Sequence, residues 1–197
     1  MSGVFIGLST VLAVVVSSVA LRGRPSPSSP KPSFQPGNAA FSIWGVIFSY
    51  GIVYSASVYL KVLPHDPFDE WTYASAFVLS SVWAVLFRSQ WYVSSTACLC
   101  LAALSASLNA FRHPVSPSLR FLLRDCASGL LAGWLWVAAL LQVGIFLLSR
   151  LPDASFTFLF DTPRTLGVAS VLMALACVLT RTCVPMLPLL WASYNLG

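Results

Sequence analysis

Long apolar runs without charge, separated by short polar segments, make up most of this chain. The central run, from Ala40 to Leu60, has 21 residues and no charged side chain. A helix rises about 1.5 Å per residue, so this run covers the roughly 30 Å hydrocarbon core of a bilayer. Five further runs are apolar enough to form helices of similar kind. The pattern therefore predicts an all-α, polytopic transmembrane helix bundle with five to six spans.

We expect a single integral membrane domain over residues 1–197. The predicted spans are residues 3–21, 40–60, 71–87, 91–111, 126–149 and 165–180, and residues 22–38 form a proline-rich loop. No charge precedes the first run, whereas a cleaved signal peptide begins with a positive segment, so this run is expected to remain as a helix. The loop fits either a cover over one end of the bundle or a plain linker. The tail over 182–197 fits either an interfacial or a re-entering segment.

Aromatic and small side chains lie on different faces of the central span. Phe41, Trp44 and Phe48 follow one another at three- and four-residue steps, so they project from one helical face. Gly45 and Ser49 form a small-xxx-small pair beside them, a pattern that lets a second helix approach closely. The central helix is thus predicted to present rings on one side and a close helix contact on another.

Polar and small residues inside the later spans give further expectations. Ser80 and Trp83 share a face of the third span. In the fifth span, Gly129 and Gly133 form a G-x-x-x-G pattern that favours close helix packing. Gln142 is the one strongly polar group deep in any span, and a buried amide needs a hydrogen-bond partner. That partner is either a neighbouring helix or a ligand, and helix contact is the favoured interpretation.

The connections between spans carry most of the titratable groups. Residues 63–70 are predicted to form a solvated acidic turn. His65 beside Asp66 could bind a metal, but one histidine with nearby acids does not make a fixed ligand set. Before the fifth span, Arg124 and Asp125 are expected to pair with each other or to interact with the helix dipole.

Composition restricts the class of protein. The chain is 57% hydrophobic and 9% charged, with a mean hydropathy of +0.81, whereas soluble domains carry about 25% charged residues. The net charge of +5 comes from basic residues near the ends of the apolar runs, where they meet lipid headgroups. Nothing in this distribution indicates a nucleic-acid surface. The basic residues weakly favour placing the proline-rich loop in the cytosol or matrix.

Motifs for catalysis are missing from the sequence. It contains no Walker loop, H-E-x-x-H motif or Ser-His-Asp set, and both histidines lie between predicted spans. We therefore predict a protein that is not an enzyme, with no catalytic residue and no metal ligand set. Five cysteines without a C-x-x-C pair are expected to pack as small apolar side chains.

The order of several short motifs resembles the tryptophan-rich sensory protein family, which includes the translocator proteins. The resemblance covers about residues 34–148, and a looser similarity follows at Trp191-Ala192. The motifs that carry it are Pro36-Gly37, Phe41-Ser-Ile-Trp44-Gly45, Trp83 with Phe87, and Gly133-Trp134 with Val137-Ala138. The Phe-Ser-Ile-Trp-Gly block is the most specific of them.

The resemblance implies a five-helix bundle whose first long loop closes over a pocket for porphyrins, sterols and aromatic drugs. It places Trp44, Trp83 and Trp134 near that pocket. Three positions depart from the family pattern. Ser80 stands where an asparagine is usual, Leu130-Leu131 replaces a Pro-Tyr pair, and Gln142 replaces a late asparagine. These departures leave the fold in place and change the groups available to a ligand.

The leading hypothesis is a pocket for a flat hydrophobic ligand, because aromatic faces stack on such molecules while a few polar groups satisfy their heteroatoms. No cofactor is required, and a tetrapyrrole, a sterol or a lipid is the expected occupant. The alternative interpretation is that the same tryptophans are packing residues and interface anchors. The predicted ligand-binding residues are Phe41, Trp44, Phe48, Ser80, Trp83, Trp134 and Gln142.

A rival hypothesis comes from the substituted pocket positions. It makes the chain a non-catalytic accessory subunit of a large respiratory or photosynthetic membrane complex that kept the fold and lost the ligand. The expected partners are membrane lipids and either neighbouring subunits or a second copy of the chain. An organellar membrane, mitochondrial or plastid, is favoured, and a bacterial membrane is the alternative.

Overall fold

The computed structural model describes residues 3–20, 42–112, 119–150, 171 and 184–194. The described residues form helices and the turns between them, with no strand among them, which confirms the predicted all-α class. The predicted proline-rich loop at 22–38 lies outside the described residues, as does the sixth predicted span at 165–180 apart from Val171.

Six α-helices are described, and a single π-helical turn, Phe121–Asp125, leads into the fifth. Their bounds are Val4–Ala20 (α1), Ile43–Tyr59 (α2), Pro67–Arg88 (α3), Tyr92–Phe111 (α4), Cys126–Arg150 (α5) and Met186–Tyr194 (α6). The first, second, fourth and fifth helices correspond to predicted spans. The predicted loop between the fourth and fifth spans is wrong in part, because residues 119–125 are already helical.

The α3, α4 and α5 helices form the centre of the bundle, with α4 packed against both of the others. Small residues make this close packing feasible, since Ala102, Ala103 and Ala106 of α4 are fully buried. The first helix packs on α3 and α2, so it is part of the bundle.

Glycine allows α1 to approach α2 closely at its first turn. A Cβ at Gly7 would lie 2.8 Å from Oγ of Ser55, and Gly3 has a φ of +83°, which favours glycine. The Ser55 hydroxyl donates a hydrogen bond of 2.5 Å to the Gly3 carbonyl. The spacing of Gly3 and Gly7 is the same small-xxx-small signal as in the fifth span.

The third helix begins earlier than its apolar pattern predicts. The carboxylate of Asp66 accepts a hydrogen bond of 2.9 Å from the Phe68 amide, and Pro67 occupies the first helical position. The solvated acidic turn predicted over 63–70 is therefore wrong in its second half. Asp69 and Glu70 lie inside the helix and are only 1% and 8% exposed, because partners on other helices compensate their burial.

The chain near α6 approaches the first half of α5 through the predicted G-x-x-x-G pair. A Cβ at Gly129 would lie 2.9 Å from Val184, and one at Gly133 would overlap the Pro185 carbonyl. Pro188 stands in the first turn of α6, where a missing amide costs no helical hydrogen bond.

The small-xxx-small contact predicted at Gly45 is not made by the described residues. No atom among them lies within 4 Å of a Cβ built there, and Gly45 is exposed. Its carbonyl accepts a hydrogen bond of 2.8 Å from the Ser49 hydroxyl one turn later. Close packing of α2 occurs instead at Gly51, on the turn facing Thr10 of α1.

Candidate functional site

Four aromatic rings from three helices meet near the start of α2. Trp44 stacks on Phe48 with ring centroids 5.2 Å apart, and Trp134 of α5 meets Trp44 edge-on at 6.3 Å. On the other side Phe48 stacks on Phe77 of α3 at 5.9 Å. We call these four residues the Trp44 cluster. Trp44 and Phe48 are half-buried, whereas Trp134 and Phe77 are almost completely buried, so the cluster has a closed inner side and a partly open outer side.

A hydrogen-bonded amide joins three helices further along the bundle. Trp83 of α3 donates from Nε1 to Oε1 of Gln142 over 3.1 Å. The amide nitrogen of Gln142 donates to Oγ of Ser95 on α4 over 2.9 Å. Gln142 is 2% exposed and Ser95 is fully buried. These three residues are called the Gln142 bridge, and the bridge confirms helix contact as the partner of this buried amide.

Aromatic rings continue from the Gln142 bridge towards the end of the bundle. Trp83 stacks on Phe87 with centroids 5.8 Å apart, and Phe87 meets the ring of Tyr92 at 6.2 Å. Ser95 in turn donates to the Tyr92 carbonyl over 3.0 Å. Contacts from α3 before the turn and from α4 after it therefore fix the position of the bridge.

Replacing Gln142 by leucine is expected to lower the free energy of unfolding by about 1 kcal/mol. The change removes two interhelical hydrogen bonds, and such bonds in a membrane contribute about 0.6 kcal/mol each. Thermal unfolding in detergent measures the loss. Ser95→Ala removes one of the two bonds and should cost about half as much. A Gln142→Leu variant as stable as the unmodified protein would contradict the bridge.

The structure brings most of the predicted ligand-binding residues into two groups. Trp44, Phe48 and Trp134 share the Trp44 cluster, while Trp83 and Gln142 share the bridge. Ser80 is buried, and its hydroxyl donates to the Phe77 carbonyl of its own helix over 2.9 Å. Phe41 lies outside the described residues.

Two members of these groups were missed by sequence reasoning. Phe77 lies a three-residue step before Ser80 on α3, so helical periodicity counted one turn further back would have placed it near the predicted face. Ser95 lies among many similar small residues of α4 and has no distinguishing pattern. Only the fold shows that it meets Gln142.

Charged residues gather at the opposite end of the bundle, which we call the Asp69 end. Arg124 approaches the Asp69 carboxylate at 3.5 Å from one side, and Arg112 approaches it at 3.6 Å from the other. Arg124 also binds Asp125 at 2.8 Å, as one of the two sequence interpretations expected. The Asp69 carbonyl accepts a hydrogen bond of 2.8 Å from Asn109. These contacts tie the starts of α3 and α5 to the end of α4.

Asp66, in the connection before α3, has a lowered pKa. Burial acts to raise the pKa of its carboxyl. Hydrogen bonds from the Phe68 and Asp69 amides and the positive charge of Arg112 outweigh that effect and bring the pKa below its ordinary value. Asp66 is therefore a charged helix cap at neutral pH.

His65 lies close to the same end, and Nδ1 of its ring is 3.4 Å from Oε1 of Glu70. The same carboxylate oxygen accepts a hydrogen bond of 2.9 Å from the Gly3 amide. Within the described part of the chain, no group of three or more histidine, cysteine, aspartate or glutamate side chains is arranged to hold a metal ion.

Two of the described helical segments, Tyr92–Phe111 and Phe121–Leu147, are long and apolar enough to cross a membrane. Val4–Val16, which is part of α1, and Ile43–Tyr59 are shorter apolar helical segments. Their outward faces carry large apolar side chains, among them Leu8, Ile52 and Leu104, each about half exposed or more. Internal polar bridges with an apolar exterior are typical of helical membrane bundles. The fold and its buried sites are those expected of a polytopic helical membrane protein.

A family model for TSPO-like proteins matches residues 5–196, nearly the whole chain. The chain belongs to the TSPO-like protein family, and it is an integral membrane protein of that kind. Comparisons with curated proteins and with solved structures gave no match. The family assignment confirms the resemblance drawn from the tryptophan-containing motifs and extends it over the sixth predicted span and the tail.

Proposed function

We propose that this protein binds a flat hydrophobic molecule, such as a tetrapyrrole or a sterol, against the Trp44 cluster, and that it is not an enzyme. The observation that carries the proposal is the half-buried state of the stacked Trp44 and Phe48 rings. Their inner neighbours, Trp134 and Phe77, are closed off by the bundle. A rigid wall of rings with one accessible side suits a planar apolar ligand, because ring faces stack on it at little entropic cost.

The polar groups once expected to satisfy a ligand are largely engaged inside the protein. Gln142 bonds to Trp83 and Ser95, and Ser80 bonds to its own helix. A ligand at the Trp44 cluster is therefore held mainly by stacking and apolar burial. This arrangement favours a molecule whose polar substituents project towards the membrane surface.

Trp44→Ala is expected to weaken binding of protoporphyrin IX by at least about 1 kcal/mol, which is about a five-fold rise in Kd. Titration of the purified protein, followed by the visible absorbance of the porphyrin, measures the change. Trp71→Ala is the matched control, since Trp71 is exposed at the Asp69 end and its ring meets Phe5 of α1. Binding that is equal in both variants, with folding intact, would remove the Trp44 cluster as the site.

Gln142 and Ser80 each have hydrogen-bond partners inside the protein. This also favours a second candidate function, an accessory subunit of a large membrane complex. A protein that has lost its ligand has no need of free polar groups in the former pocket, and its rings then serve packing. Native-gel separation after mild detergent extraction distinguishes the two functions. A small species carrying a bound pigment supports the ligand-binding protein, whereas migration at high mass with other chains supports the subunit.

For either function, we propose that the protein lies in an organellar membrane, mitochondrial or plastid, with a bacterial membrane as the alternative. The proposal includes membrane lipids as permanent neighbours and a second copy of the chain or other subunits as protein partners. It includes no nucleic acid. Among the described residues, the exposed charged side chains, such as Lys61, Arg88 and Arg150, lie at or just after helix ends, as expected for contact with headgroups and water.

A further inference from the structure

An open cleft of about 400 Å³ lies at the end of the bundle away from Asp69, between the α3–α4 turn and the last turn of α5. None of the residues predicted to bind a flat ligand lines it. Its polar walls come from two parts of the chain that are about sixty residues apart in sequence. The residues that matter here are Gln90, Trp91, Tyr92 and Ser94 on one side and Ser149 and Arg150 on the other.

We propose that this cleft binds the phosphate group of an anionic phospholipid. The guanidinium of Arg150 supplies the positive charge, and its planar set of donors matches a phosphate in a two-bond arrangement. Ser94 and Gln90, which line the other side of the cleft, carry neutral donors. None of the described residues that line the cleft is acidic.

The distribution of charge along the bundle supports an anionic ligand at this end. In the described ranges every carboxylate lies near the starts of α3 and α5, at the Asp69 end: Asp66, Asp69, Glu70 and Asp125. The opposite end has the cations Arg88 and Arg150 and, within the same ranges, no carboxylate. Among the described residues, Arg150 has no carboxylate partner of the kind that Arg112 and Arg124 have in Asp69.

The depth of the cleft fits a headgroup. Trp91 is 65% exposed and Tyr92 is half-buried beside it, and such rings typically sit at the level of lipid headgroups. The exposed apolar side chains Val85 and Val93 flank the turn and provide contact for acyl chains. A soluble phosphate would use the same donors but gain nothing from these apolar neighbours.

One wall of the cleft is preorganised by backbone hydrogen bonds. The Gln90 amide donates to the Phe87 carbonyl over 3.0 Å, and the Trp91 amide donates to Leu86 over 3.0 Å. Gln90 has a φ of 62°, which turns the chain sharply between the helices. A turn fixed in this way loses little freedom on binding.

The test compares phosphatidylglycerol with phosphatidylcholine of the same acyl chains, bound to the full-length protein after delipidation and measured by native mass spectrometry. The unmodified protein should retain phosphatidylglycerol about ten times more strongly, because both lipids offer a phosphate but the choline ammonium of phosphatidylcholine is repelled by Arg150. Arg150→Gln should remove that preference, since one charge-assisted contact is equivalent to about a ten-fold change in Kd. Arg88→Gln is the matched control at the same end, because Arg88 does not line the cleft and donates to the Val19 carbonyl.

Each result decides the proposal. Equal losses in the Arg150 and Arg88 variants would show general attraction by surface charge and overturn the site. Absence of any preference for the anionic lipid in the unmodified protein would do the same. A third arm uses inorganic phosphate: binding of phosphate that depends on Arg150, without lipid preference, would assign the cleft to a soluble anion and overturn the lipid. A Ser94→Ala variant, which keeps the helix-terminal charge, should weaken retention of phosphatidylglycerol even if Arg150→Gln proves unstable.

Discussion

Gly133→Ala is expected to lower the free energy of unfolding by about 2–3 kcal/mol and to release α6 from α5. The added methyl group would overlap the Pro185 carbonyl oxygen and lie 3.0 Å from both the carbonyl carbon and Cα of the same residue. Backbone atoms cannot rotate away as a flexible side chain can, so the whole segment must shift. Thermal unfolding in detergent measures the stability, and protease cleavage near a C-terminal tag reports the release of α6.

Gly45→Ala provides the matched control for this prediction. No described atom lies within 4 Å of the added Cβ, and alanine is a better helix former than glycine by up to about 1 kcal/mol. Stability should therefore stay the same or rise. A Gly133→Ala protein that unfolds at the unmodified temperature and protects its C-terminal segment would show that α6 does not depend on this approach.

Asp69→Ala is expected to have the largest effect, a loss of about 3–5 kcal/mol. Asp69 is 1% exposed, and its removal leaves the buried guanidinium of Arg124 with Asp125 as its remaining ion-pair partner among the described residues. Arg124 then stays buried with one carboxylate instead of two, and a buried charge with incomplete pairing is more costly than a well-packed apolar pair. Denaturant or thermal unfolding of the detergent-solubilised protein measures the loss.

Two further variants separate ion pairing from other causes. Asp66→Ala removes an accessible helix cap and an exposed pair with Arg112, so it should cost only about 1 kcal/mol. In the triple variant Asp69→Leu, Arg124→Met and Asp125→Asn, all three charges of this cluster are removed together while Arg112 keeps Asp66, and much of the stability should return. If the triple variant is less stable than Asp69→Ala, the buried charge of Arg124 is not the source of the loss.

Each of the first five predicted spans coincides with a described helix, because a membrane-length run must satisfy its backbone internally. The hydrophobic pattern failed where polar residues extend a helix beyond its apolar run. Asp69 and Glu70 looked like a solvated turn, since their compensating partners, Arg124 and Gly3, are far away in sequence. Contacts between distant helices leave no local signal.

The candidate site was predictable in part, because spacing along one helix is visible in the sequence whereas contacts between helices are not. Trp44 and Phe48 follow helical spacing on one element, so their shared face was visible in the sequence. The partners Phe77 and Ser95 come from other helices, and only the relative rotation of those helices decides which side chain faces inward. Gln142 was identified because a buried amide always requires partners, although the identity of those partners was not predictable.

The contact between Gly3 and Glu70 also bears on how this protein is made. The two residues are 67 positions apart, and the Gly3 amide finds its acceptor only after the chain has been synthesised as far as the start of α3. Until then α1 can dock only on α2, through Ser55. The ribosome adds about 5–20 residues per second, so this interval lasts several seconds. During this interval the first helix has only its contacts with α2, and its packing is completed when α3 has been synthesised.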